Sequence, residues 1–140
     1  MTDRALRLAL AVVALAGVGV AGYLTYVHYD ESALICTTGG CEQVQQSDYA
    51  ELAGIPVALL GLLTWIAVLV LVAWDSPLAR ALTAGIALVA AAFAVYLVVL
   101  QLFVIDAVCV WCMVNDVVLV PLLTVLSLLR LRATAAVTSP

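Results

Sequence analysis

The residues best suited to chemistry are four cysteines in two pairs: Cys36 and Cys41 in a polar stretch, then Cys109-Val110-Trp111-Cys112 at the start of a late apolar run. Cysteines three apart on a helix share a face, and the free N–H groups of a first helical turn favour a thiolate. That is the geometry of a redox-active dithiol. In the earlier pair, Thr37-Thr38-Gly39-Gly40 is a turn signal that lets Cys36 and Cys41 approach and bond, because glycine accepts backbone angles closed to other residues. Four cysteines also suit a zinc site or a purely structural pair of disulfides. An oxidising compartment favours disulfides over bound metal, so no metal site is expected. His28, the only histidine, has no spaced second ligand and reads as interfacial.

The elements that carry these pairs follow from composition. The 140 residues are 67% apolar and 10% charged, whereas soluble domains are about half apolar and a quarter charged. Crossing a bilayer takes roughly 20 apolar residues per helix. The expected fold is therefore all-α, a membrane-embedded four-helix bundle forming a single domain over 1–140, with spans at about 5–27, 56–74, 77–105 and 108–129. The apolar run from Leu6 to about Val27 exceeds the 7–15 residues of a signal core, so it reads as a retained anchor. Residues 28–54 form the loop with the first cysteine pair. Within it, Asp48 as N-cap and Glu51 three residues on predict a short interfacial helix over 48–53. Pro56 suits the first turn of span two, Ser76 caps and Pro77 starts span three, and Pro121 frees a carbonyl and bends span four. Residues 133–140 read as a frayed tail.

All five basic residues are arginines: Arg4, Arg7, Arg80, Arg130 and Arg132. In a four-span chain they fall on one side, which the positive-inside rule makes cytoplasmic, together with both termini. The expectation is a multi-pass protein of the plasma (inner) membrane, its redox cysteines extracytoplasmic. The outward loop holds Asp30, Glu31, Glu42, Asp48 and Glu51 with no lysine or arginine, which argues against nucleic acid or an anionic membrane surface as partner.

The order Cys36-x4-Cys41, Val44, Ser47, Tyr49, Gly54-Ile55-Pro56, Gly61, Tyr96-Leu97 and Cys109-Val110-Trp111-Cys112 resembles the vitamin K epoxide reductase family in its bacterial form, over residues from about 20 to 130. The resemblance implies a four-helix bundle around a quinone, whether menaquinone, ubiquinone or phylloquinone. The helix-borne pair would reduce the quinone and the loop pair would relay electrons from a thioredoxin-like protein. Carried over, Cys112 faces the quinone and Cys109 exchanges with Cys36 and Cys41. Many bacterial members carry a fused thioredoxin-like domain. This chain ends about eleven residues after its last expected span, so its partner is expected to be a separate extracytoplasmic protein. The animal enzymes carry an asparagine in helix two and a tyrosine four residues after the second active-site cysteine, where this chain has Val57 and Asp116.

Cys109, Cys112 and Asp116 follow i, i+3, i+7 on one helical face, and a carboxylate within a span usually faces a partner or a cavity. Asp116 either lines the quinone pocket or bonds to a neighbouring helix. Ser47 either bonds the quinone or a thiolate, or caps the following turn. Asp106 reads as a cap or solvated acid, Gln101 as an interhelical hydrogen bond, Trp111 as a cover for the disulfide, and Trp65, Trp74 and most tyrosines as packing or interface anchors. Taken with these residues, the resemblance implies a quinone-reducing thiol oxidoreductase that supports disulfide bond formation. One alternative is a four-helix thiol oxidase with the cysteine pairs in reverse order. Another is a disulfide-braced, non-enzymatic membrane scaffold or small-solute carrier, although carriers usually show paired polar breaks within their spans.

Overall fold

A computed structural model describes residues 2–36 and 39–138. In chain order the elements are α1 (Asp3–Tyr29), α2 (Cys41–Gln45), a hairpin of β1 (Glu51–Leu52) and β2 (Ile55–Pro56), α3 (Val57–Trp74), α4 (Pro77–Val99), α5 (Val110–Met113) and α6 (Val120–Thr138). Short π-helical segments extend α4 over Leu100–Val104 and join α5 to α6 over Val114–Leu119. Among the described residues, four helices are long and apolar enough to cross a membrane: Asp3–Tyr29, Val57–Trp74, Pro77–Val104 and Val110–Val137. The protein is an all-α, multi-pass bundle.

Local chemistry starts these helices. Thr2 accepts the Ala5 N–H at 3.2 Å and Ser76 accepts the Ala79 N–H at 3.0 Å, each filling a backbone donor that a first turn leaves open. Helix α3 stops where Asp75 turns left-handed. Between spans the lipid supplies no hydrophobic drive, so close approach rests on small residues, among them the buried Ala14, Gly17 and Ala87. Gly17 is the sharpest case, because a Cβ there would fall within the Trp65 ring.

At the bundle end remote from the cysteines, charge closes the structure. Arg130, only 3% exposed, donates to Asp3 at 3.0 Å and to Asp75. Arg80 bonds Asp75 at 3.0 Å and Thr134 at 2.6 Å. Arg7 caps the last carbonyls of α3, reaching Val72 O at 3.0 Å and Ala73 O at 2.9 Å. One network thus joins the ends of all four spans. It also accounts for a difference from the sequence reading: the last helix does not fray after 132 but continues to Thr138, because Arg130 and Thr134 are held by Asp3, Asp75 and Arg80. Positions 139 and 140 lie outside the described residues.

The expected interfacial helix over 48–53 is not formed. Asp48–Ala50 make a single 3-10 turn, and Glu51–Leu52 then pair with Ile55–Pro56 across a tight turn in which Ala53 (φ 55°) and Gly54 (φ 81°) are both left-handed. Two left-handed residues make the turn that suits a two-residue hairpin, and this overrides the capping pattern. The loop's short helix lies earlier, at Cys41–Gln45.

Replacing Arg130 with methionine should lower unfolding stability by about 2 kcal/mol. A buried charge partner is lost, but Asp3 and Asp75 remain partly solvated. Arg4→Ala, at an exposed position, should stay within about 0.5 kcal/mol. Thermal and detergent-titrated unfolding of the two variants checks this.

Candidate active site

The loop cysteines are joined in a Cys36–Cys41 disulfide with Cα atoms 6.0 Å apart, while Cys109 and Cys112 are thiols. Of the glycines expected to shape this loop, Gly39 is left-handed (φ 82°), and Gly40 lies so close to Val108 that a Cβ would meet the Val108 carbonyl. Thr37 and Thr38 of the same turn signal lie outside the described residues. The Gly40 contact presses the loop onto the segment that precedes Cys109. Cys41 and Cys109 are both fully buried, in one cluster with Leu24, Val27, Val44 and Ala107. Cys36 and Cys112 pack at its margin.

Cys109 is the N-cap of α5, just ahead of the fourth span. Its own N–H donates to Gln101 Oε1 at 2.9 Å, and the Gln101 carbonyl accepts the Ala107 N–H at 3.1 Å. The Cys109 thiol is pulled down to about 7, first by the hydrogen bond from the Cys112 side chain, against the opposing effect of burial. Trp111 donates to Ile35 O at 2.7 Å and meets the edge of Tyr23, whose hydroxyl in turn binds Ile35 N at 2.7 Å and Ala33 O at 3.2 Å. Together the two rings clamp the loop beside Cys36.

Cys112 stays within hydrogen-bond reach of Cys109 and also opens onto a cavity. The cavity is of about 790 Å³, and its walls come from α1, α3, α4, the loop and the fourth span. The lining is mostly aliphatic and aromatic, with a few polar side chains among them, including Gln45, Ser47, Asn115 and Asp116. Gln45 Nε2 donates to Cys112 Sγ at 3.5 Å. Asn115 joins Trp65 Nε1 (2.9 Å) to Asp116 Oδ1 (3.0 Å). Asp116 is only 7% exposed, and its Oδ2 has no hydrogen-bond partner among the described residues. A large apolar cavity with a few convergent polar groups suits an apolar ring with polar edges, such as a quinone.

Ser47 and Asp116 both line this cavity, and so does Val57. The Ser47 hydroxyl donates back to Val44 O at 2.8 Å and makes no capping bond to the turn that follows. Gln101 bonds the backbone of the Cys109 segment, where sequence predicted a bond to another helix. Tyr23 holds the loop, whereas Tyr26 and Tyr29 are exposed as interface residues would be. His28 pairs with Glu51 at 3.2 Å and so ties α1 to the hairpin. Sequence reasoning assigned nothing to Gln45 or Asn115 and gave Trp65 only a packing or interface role. A polar amide next to Asp116 in an apolar run was the one available signal.

A loop disulfide packed against two thiols, one buried and one opening onto a largely apolar cavity, is an arrangement suited to thiol–disulfide exchange in a membrane protein. A model of the vitamin K epoxide reductase family matches residues 8–127. The chain belongs to that family, and membership implies quinone-linked thiol oxidoreduction.

Because the Cys112 hydrogen bond is the largest influence on Cys109, the pair should begin to ionise near pH 7. In a Cys36→Ala/Cys41→Ala background, ultraviolet thiolate absorbance should rise with a midpoint of about 7. Adding Cys112→Ala removes the stabilising bond but leaves the burial, so the midpoint should move up, past the ordinary thiol range. An unchanged midpoint would contradict this cause.

Proposed function

We propose that this protein is a thiol:quinone oxidoreductase that takes electrons from a separate thioredoxin-like protein and delivers them to a membrane quinone, supporting disulfide bond formation. The observation that carries the reading is the position of the helix pair: Cys109 packs with Cys41 on one side, and Cys112 opens onto the cavity on the other.

The steps balance as follows. A dithiol partner attacks the loop disulfide at Cys36, which is partly exposed where Cys41 is fully buried, and leaves oxidised with Cys36 and Cys41 reduced. The Cys41 thiolate attacks Cys109 of an oxidised Cys109–Cys112 pair, forming a mixed disulfide and releasing Cys112 as thiolate. Cys36 then closes on Cys41 and frees Cys109. In the state described here the loop pair is oxidised and the helix pair reduced, ready to give two electrons to the cavity. The surrounding residues exclude water, hold the sulfur against the substrate and limit side reactions. We place the cysteine end outside the cytoplasm, since the arginines gather at the opposite end.

Cys112→Ala should abolish quinone reduction with any reductant. Cys36→Ala and Cys41→Ala should block electrons from a protein dithiol while sparing reduction by a small membrane-permeant dithiol that reaches Cys109 and Cys112 directly. Equal loss with both reductants in the loop variants would overturn the relay. Membrane-impermeant thiol reagents should label reduced Cys36 in intact cells, and labelling confined to inverted vesicles would reverse the orientation.

A further inference from the structure

The buried, half-bonded carboxyl of Asp116 requires an explanation that two sulfurs do not give. A buried polar atom without a partner is costly and is kept where a ligand or reaction completes it. Asp116 lies inside the fourth span, is only 7% exposed, and lines the cavity onto which Cys112 opens. Its Oδ1 is occupied by Asn115 Nδ2 at 3.0 Å, and Oδ2 has no partner among the described residues.

The orientation of this carboxyl is fixed from behind. An indole N–H can only donate, so Trp65 Nε1, 2.9 Å from Asn115, selects the amide oxygen and turns the Asn115 NH2 toward Asp116. Trp65 is itself immobile: it is 3% exposed, and its ring fills the notch left by Gly17. Asn115 and Asp116 both sit in the π segment Val114–Leu119, the irregular turn in which two adjacent residues line the same cavity. With Oδ1 accepting from Asn115, the proton of a neutral carboxyl must sit on Oδ2.

We infer that Asp116 is the proton donor to a quinone oxygen, and that Trp65 and Asn115 are positioning residues that aim its Oδ2. The inference rests on the thiol:quinone reading above. Cys109 and Cys112 give up two electrons and two protons and close a disulfide, and the quinone leaves as quinol with both. Asp116 passes its Oδ2 proton to one quinone oxygen and is reprotonated by one of the two protons the thiols release, so the carboxyl is unchanged over the cycle.

The test uses the purified full-length protein in mixed micelles with a short-tailed ubiquinone analogue. Infrared difference spectra should contain a protonated-carboxyl band that shifts when the analogue is added, is absent in Asp116→Asn, and is displaced in Trp65→Phe and Asn115→Leu. Asp116→Asn should lower kcat about 100-fold, the low end for general acid catalysis. Trp65→Phe and Asn115→Leu should lower it about three- to tenfold with KM within twofold, a fraction of the same effect. Melting temperature and exchange between the loop pair and a protein dithiol report folding; if Trp65→Phe misfolds, Asn115→Leu decides alone. Wild-type protein that does not oxidise its dithiols with the quinone would refute the underlying reading. Wild-type oxidation together with a wild-type rate or a retained band in Asp116→Asn would refute the proton-donor role alone.

Discussion

Two hydrogen bonds accepted by Gln101 govern the arrangement of the cysteine end. Backbone N–H groups near a membrane interior must find partners within the protein. The chain leaves helical geometry between the third and fourth spans, where Asp106 is left-handed (φ 58°), so Ala107 and Cys109 have no helical acceptors. Gln101 supplies both, one through its carbonyl and one through its side chain. Because Gln101 is itself 3% exposed and fixed in the wall of the bundle, it fixes the starting point of the fourth span. From that point follow the position of Cys109 in the sulfur cluster and the exit of Cys112 into the cavity.

The remainder of the bundle keeps this end in register. The charge network at the opposite end ties Asp3, Asp75, Arg80 and Arg130 together, and these residues stand at the ends of all four spans. With one end locked, the other can carry irregular backbone: two π segments, a left-handed turn and a two-residue hairpin. Irregular helix of this kind often marks functional sites, and here both π segments border the cavity through Leu100, Gln101, Asn115 and Asp116. Pro121, expected to bend the last span, follows a widened turn in which the Val120 N–H reaches Asn115 O, five residues back. A proline that donates no bond tolerates such a turn just before it.

Much of this was legible in the sequence, and for physical reasons. Apolar runs long enough to span a bilayer are a one-dimensional signal, and so is the clustering of arginines. The cysteine spacing and the loop motif pointed to the family before any geometry was known. Other features depend on contacts between distant residues. The helix beyond Arg130 is stabilised by Asp3, 127 positions away. The hairpin at 51–56 prevailed over a capping pattern that looked equally good locally. The link from Trp65 to Asn115 spans 50 positions, and neither residue type announces it. Asp116 could be suspected because a lone acid in an apolar span is costly, but its free oxygen and the orientation imposed on it are three-dimensional facts.

The central claim is that electrons pass between the pairs through Cys41 and Cys109, which share one buried cluster, with Cys36 facing the partner and Cys112 the cavity. Mass-spectrometric mapping of disulfides after mild oxidation of two double variants tests it most directly. Cys36→Ala/Cys112→Ala should form an intramolecular Cys41–Cys109 bond in high yield, and Cys41→Ala/Cys112→Ala should form little or no Cys36–Cys109 bond. The opposite pattern, or no bond in either variant, would contradict the relay.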